Sequence, residues 1–266
     1  MNFVILNNYT YIVLLLYTDF CALTNKETDI KLTNVSFLSW YMGGTTMPAE
    51  KITREKIIHA VLECAFVNSV GATSLADIAG KLGIKKASLY NHYESREAMI
   101  DDTIRYCGES LSKISFIPAE MDATAQKYAA EAVLKGIVHR WFKVNEKEPL
   151  VQIYSFVESE KYFSTEAASI YSNVKNKLSE QTVTALKSLA AAGKIKNSTD
   201  EDFKAKAEVF SALTGSLLDN YIVEKKMDIR SNPQTGEGEL FTSLPFEPDY
   251  NFVDSLVEQY CKILAI

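Results

Sequence analysis

Residues 85 to 93, KKASLYNHY, place a hydrogen-bonding side chain at nearly every position: Lys85, Lys86, Ser88, Tyr90, Asn91, His92 and Tyr93. Ammonium, hydroxyl, carboxamide and imidazole groups crowded into so short a stretch suit closely spaced anions with polar edges between them. Duplex nucleic acid offers both, phosphates on two rims and base edges on the groove floor. Tyrosine is apt because its ring packs on a sugar while its hydroxyl reaches a phosphate. Flanking this stretch, Thr73 and Ser74 can accept from the free amides that open a helix. Ser95 and Arg96 offer a second helix start with a guanidinium beside it, a ready site for a phosphate. The same aromatics would also serve as core in an ordinary turn between packed helices.

The elements that must carry these residues are helical. From Ile52, the residues Ile57, Ile58, Val61, Leu62, Ala65 and Phe66 recur at spacings of three and four, which predicts a core-facing helix of roughly four turns. It ends near NSVGATS, where Gly71 is the expected left-handed residue. SLADIAGKLG then predicts a short helix with Leu75, Ile78, Ala79 and Leu82 on one side, closed by Gly83, and a second short helix follows at once. Neither is long enough to be stable alone. Two such helices about a tight glycine turn, flanked by longer ones, form a helix-turn-helix arrangement in which small Ala79 allows a close crossing. The second has few apolar residues beyond Ala87, Leu89 and Tyr90, so much of its surface faces outward.

Composition bounds the rest. With 266 residues, 47% of them hydrophobic, 11 Gly and 6 Pro, the chain can bury one or two cores and is neither disordered nor fibrous. Cys21, Cys64, Cys107 and Cys261 form no C-x-x-C pair, which argues against a zinc knuckle or disulfide framework and fits a reducing cytoplasm. A net charge of −6 means that any anion-binding surface is local. Between residues 74 and 96, Lys81, Lys85, Lys86 and Arg96 face only Asp77 and Glu94, a small local excess.

Residues 1 to 46 read differently. The apolar run YIVLLLYTDF is far short of the roughly 20 residues a membrane span needs, and no positive charge precedes it as a secretory signal requires, the first lysine being Lys26. Gly43-Gly44 can be encoded by GGAGG, a ribosome-binding sequence, with two threonine codons before Met47. Two readings stay open: initiation at Met47 with translated upstream sequence before it, or a genuine N-terminal extension.

With these residues in view, positions 57 to 100, IIHAVLECAFVNSVGATSLADIAGKLGIKKASLYNHYESREAMI, resemble the N-terminal DNA-binding domain of TetR/AcrR-family transcriptional regulators. The matching positions are Gly71, Thr73-Ser74, Ile78-Ala79, Gly83-Ile84, Leu89-Tyr90, His92-Tyr93 and Ser95-Arg96-Glu97. The resemblance implies phosphate contact from Thr73 or Ser74, Tyr90, His92, Tyr93 and Arg96, and base contact from the start of the second short helix. Lys85 stands where Ser or Thr usually caps that helix and Ala87 where Gly is usual, so the backbone approach to DNA should differ and Lys85 and Lys86 should add contacts.

Beyond Ile100 the chain stays helical. A connecting helix runs to about Lys113, a domain boundary falls near Pro118, and helices follow over ATAQKYAAEAVLKGIVHRWFKV, PLVQIYSFVESEKYF opened by Pro149, STEAASIYSNVKNKLSEQTVTALKSLAAAG closed by Gly193, DEDFKAKAEVFSALTGSLLDNYIVEKKM and DYNFVDSLVEQYCKIL. A Pro/Gly-rich loop at about 228 to 248 separates the last two. The expected fold is all-α: residues 47–113 as a three-helix helix-turn-helix domain with its connecting helix, then 114–266 as a helical domain. In the resembled family that second domain binds an effector and dimerises through its last two major helices. Leu213, Leu217, Leu218, Tyr221, Val253, Leu256, Val257, Tyr260 and Leu264 give those helices apolar faces that would serve the dimer or fill the monomer core. Trp141, Phe142, Tyr154, Phe156, Tyr162, Phe163 and Tyr171, with His139 and Gln152 as polar groups, are candidates for the walls of a site taking an apolar, flat ligand. Each also suits a core.

No G-x-S-x-G, H-E-x-x-H, Walker loop or G-x-G-x-x-G is present, so catalysis has no visible carrier and no cofactor is implied. The expected function is a ligand-responsive regulator, a repressor by the resemblance, that binds a palindromic operator as a homodimer. Its effector would move the connecting helix, residues 95 to 113, and spoil the spacing of about 34 Å between two recognition helices. The rival reading is an all-α protein–protein interaction module without DNA binding.

Overall fold

Each helix start in the head of this chain is written by a short polar side chain or a tight turn. Thr53 opens α1 (Arg54–Asn68) by accepting the Lys56 amide at 3.3 Å. Ser74 opens α2 (Leu75–Lys81). After α3 (Lys86–Leu89), Ser95 opens α4 (Arg96–Ser112), its hydroxyl accepting the Ala98 amide at 3.0 Å. Then come α5 (Met121–Lys127), α6 (Ala130–Asn145), α7 (Leu150–Glu160), α8 (Thr165–Ala191), α9 (Asp200–Ser231) and α10 (Tyr250–Ile263). The structure, a computed structural model, describes residues 51–146, 148–231 and 247–264, and these contain no strand. The two readings of residues 1 to 46 and most of the Pro/Gly-rich loop lie outside the described residues.

Ile52–Ile266 form one compact unit. Within it α1 packs on both α2 and α4, and α7 lies against α1, α4, α6 and α8. Helix α8 packs along α9, while α10 lies along α6. The connecting helix buries Met99, Ile104, Cys107 and Leu111. Burying side chains of this size contributes about 1.5–3 kcal/mol each, and α4 packs both on α1 of the head and on α7 and α8 of the body. Gly108 permits the approach of α8, because a Cβ there would stand 2.9 Å from Ile170 Cδ1.

Glycines close two helices in the same way. At Gly83, φ is 66°, and the pair Gly83 N–H to Gly80 O and Ile84 N–H to Ala79 O caps α2. Gly193 repeats the pattern after α8, with φ 69° and Lys194 N–H donating to Leu189 O. Three local expectations are corrected. The residue with positive φ after α1 is Ser69 (φ 81°), not Gly71. The segment expected as one helix from 123 to 144 breaks at Tyr128, which is extended. No Gly or Pro marks that break: α5 packs on α8, where Asp122 accepts from Ser188 at 2.6 Å, while α6 packs on α10 and α7. Helix α9 runs on to Ser231, past the expected loop start at 228.

Candidate nucleic-acid interface and effector site

The turn between α2 and α3 is held from beneath. Ser74 Oγ accepts the Asp77 amide at 3.2 Å and Asp77 Oδ2 accepts the Ser74 amide at 2.7 Å, a reciprocal cap. The hydrogen bond donated by the Ser74 backbone N–H, then the Ser74 hydroxyl, hold the Asp77 carboxyl below its ordinary pKa. Leu89 is buried on the inner side of α3, and Lys85, Lys86, Tyr90 and Asn91 stand exposed on the other. Ser88 and His92 are half-buried. The recognition helix is shorter than the sequence suggests, a single turn, with Ser88 N–H to Lys85 O (2.8 Å) and His92 N–H to Leu89 O (2.9 Å) continuing it as tight turns on either side. Of the four basic residues of this region, Lys81 pairs with Glu63 and Arg96 is bonded to carbonyls. Lys85 and Lys86 have no acidic partner among the described residues.

Three residues expected at the DNA surface are placed otherwise. Thr73 is buried, its hydroxyl donating to Ser69 O at 2.7 Å. Tyr93 is 5% exposed and donates to Asp102 Oδ2 at 2.7 Å, with the Arg54 guanidinium 5.1 Å from its ring centroid. Burial, then the bond to Asp102, push the Tyr93 phenol pKa up. Arg96 donates to Val70 O and, at 3.2 Å, to Thr73 O. These side chains fix the loop before α2 and the start of α4, which sequence spacing cannot distinguish from an outward role. Sequence reading also missed Arg54, which donates to His92 O at 3.1 Å, and Asp102, which joins α4 to the end of the recognition segment.

Burial works against the Asp102 carboxylate, yet the bonds from Tyr93 and from Arg105 (3.1 Å) outweigh it and hold its pKa below its ordinary value. A depressed folded-state value stabilises the fold above the unfolded pKa and loses that contribution as pH falls through the folded one. Asp102→Asn should therefore lower the melting temperature at pH 7 and have little effect near pH 2, which paired thermal melts would check. Ser74→Ala should cost about 1 kcal/mol through removal of the cap, measured by denaturant unfolding at neutral pH. An unchanged midpoint would argue against the cap.

In the helical body, Trp141, Phe142, Gln152, Tyr154 and Phe156 are buried, Tyr171 is half-buried, and Tyr162 and Phe163 are exposed. The structure brings Trp141, Tyr154 and Tyr171 together around one group that the sequence did not single out, the ammonium of Lys175. It lies 5.7, 5.9 and 5.2 Å from the three ring centroids. Tyr154 donates to Asp219 Oδ1 at 2.9 Å. His139 is elsewhere, bonded to Asp254 of α10 at 2.6 Å with its ring beside Tyr250. Phe142 packs toward Tyr221 and Tyr250. No helix among the described residues is long and apolar enough to cross a membrane, and no group of three potential metal ligands occurs there.

The last two helices divide their apolar residues between two faces. Leu217, Leu218, Tyr221, Val253, Val257, Tyr260 and Leu264 are buried within the single chain, so they are core rather than a surface for a second copy. Val209, Val223 and Met227 of α9 and Phe252 and Ile263 of α10 are exposed, with Leu213 and Leu256 partly so. Their spacings of four and of sums of three and four put each set on one side of its helix.

A cleft lies where head and body meet. It has a volume of about 530 Å³ and is lined by Val70 and Arg96 from the head and by Glu160 and Phe163 from the end of α7 and the turn after it.

Residues 57–103 match the family model described as bacterial regulatory proteins, tetR family. Over 94 residues the chain is 27% identical to the biofilm operon icaADBC HTH-type negative transcriptional regulator IcaR of Staphylococcus aureus, a match that spans 35% of this chain and 48% of that protein. The chain thus covers about half the length of the curated relatives it matches. Among solved structures, a TetR transcriptional regulator from Chloroflexus aurantiacus superposes with a TM-score of 0.51 at 17% identity over 77% of this chain and 94% of that one. A TetR-like transcriptional regulator from Rhodococcus sp. RHA1 gives 0.50 at 18% identity over 82% and 99%. These structures share the all-helical fold, a helix-turn-helix head followed by a helical body. By its head at residues 57–103, this chain is similar to the bacterial regulatory proteins of the tetR family.

Proposed function

We propose that this protein is a cytoplasmic, ligand-responsive repressor that binds a two-fold operator as a homodimer. The observation that carries the reading is the outward row of Lys85, Lys86, Tyr90 and Asn91, unpaired with acids among the described residues and mounted on a turn capped by Ser74 and braced by Tyr93 and Arg96. Lys85, Lys86, Ser74 and Tyr90 are assigned phosphate contact, with Ser88, Asn91 and His92 at the groove. Thr73, Tyr93 and Arg96 position them. The exposed apolar side of α9 and α10 supports dimerisation through these helices, since a helix of 32 residues that keeps Val209, Val223 and Met227 in water calls for a covering partner.

A small effector within the body would act through α7, which packs on α1 and α4. Displacement of α7 would tilt the connecting helix and change the separation of the two recognition helices. An electrophoretic shift on DNA upstream of the protein's own or a neighbouring gene tests the reading. Retardation by the wild type is expected, and its absence at micromolar protein and low salt would favour the protein–protein interaction module instead.

A further inference from the structure

We propose that the Lys175 ammonium, together with the indole N–H of Trp141, is a receptor for the carboxylate of a small, flat, apolar acid. This rests on the reading that the helical body takes an effector, and it names that effector's chemistry. Lys175 makes no hydrogen bond or ion pair among the described residues; its tip lies among the Trp141, Tyr154 and Tyr171 rings. It presses on the backbone of α9, where a Cβ on Gly215 would collide with Nζ. Among the described residues Trp141 Nε1, on a side chain with no exposed surface, has no partner, and neither does the buried hydroxyl of Ser211. Ser211, Gly215 and Asp219 follow one another at intervals of four on α9, so they share the side that Lys175 touches.

Three groups able to donate a hydrogen bond, on α6, α8 and α9, are therefore without an acceptor among the described residues, each a destabilising element in a finished core. The nearby carboxylate, Asp219, already accepts from Tyr154. Burial lowers the Lys175 pKa, opposed by Asp219 and Glu158 and reinforced by Lys161. One carboxylate brought to Lys175 Nζ would accept from it and replace the solvation that burial strips from the ammonium, and the partnerless indole N–H at the edge of the Trp141 ring is a second donor for it. The aromatic rings around it would accept a flat apolar body, and the absence of a Cβ at position 215 leaves the ammonium room to sit against α9. A cationic ligand would have to expel Lys175 and would meet the indole N–H edge with like polarity.

The full chain is tested by thermal melts and tryptophan fluorescence with benzoate and indole-3-acetate, against benzamide and tetramethylammonium as neutral and cationic controls. The acids should raise Tm by about 5 °C at a hundredfold excess over their Kd and change the tryptophan emission, while the controls do neither. Lys175→Met should itself melt no lower than wild type, since it removes a desolvated charge, and should lose the acid response. Lys175→Arg should keep part of it. Equal response to benzamide, a response to tetramethylammonium alone, no response to either acid, or an undiminished response in Lys175→Met would overturn the proposal. Acids that bind without loosening the operator complex would uphold the site and instead count against the switch.

Discussion

Tyr90→Phe should weaken operator binding by more than about 100-fold while leaving the melting temperature unchanged. The ring is 53% exposed and carries no part of the core, so the substitution removes only a hydroxyl. A hydrogen bond to a charged group contributes about 1.5–3 kcal/mol, and a dimer on two half-sites forfeits it twice. Lys85→Ala with Lys86→Ala should act differently: affinity falls across all sequences, and the slope of log K against log salt becomes shallower by about one for each phosphate that is no longer neutralised. Fluorescence anisotropy on a labelled operator at several salt concentrations separates the two effects. Equal affinity for wild type and Tyr90→Phe would remove the recognition face from its assigned place.

Met227→Glu with Phe252→Glu should convert the dimer to a monomer and reduce operator affinity at least 100-fold, without touching the DNA-binding head. Both side chains are exposed in the single chain, so the folded monomer tolerates the charges. A covered apolar interface does not, because each carboxylate would be desolvated without a partner. Sedimentation or light scattering reads the first outcome and anisotropy the second. Leu218→Ala, by contrast, should destabilise the monomer by about 2–5 kcal/mol, since that residue is fully buried. A dimer that survives the paired glutamates would move the interface away from α9 and α10.

The helical architecture was readable because apolar residues recur at three and four, and because Ser74, Ser95, Gly83 and Gly193 punctuate it with caps that the structure uses. What periodicity could not supply is direction. Tyr90 and Tyr93 are three residues apart and chemically alike, yet one stands in water and the other is locked to Asp102, a partner nine positions away. Leu256 and Val257 are neighbours in an apolar helix, and only the packing of α10 on α6 decides that Val257 is core and Leu256 is half open. Lys175 carried no signal at all, since a lysine four residues after a tyrosine on a long helix reads as an exposed pair. Its approach to Gly215 depends on the pairing of α8 with α9. The break at Tyr128 was invisible for the same reason: neighbouring helices, not local propensity, set it.

The most direct measurement is a hydroxyl-radical footprint of the full chain on DNA upstream of its own coding region. Two protected patches are expected on one face of the duplex, separated by about 34 Å or a multiple of that helical repeat, and both should vanish together in the Tyr90→Phe and Met227→Glu/Phe252→Glu proteins at wild-type concentrations. Uniform cleavage at saturating protein, or protection that persists unchanged in Tyr90→Phe, would contradict a DNA-reading role for this face.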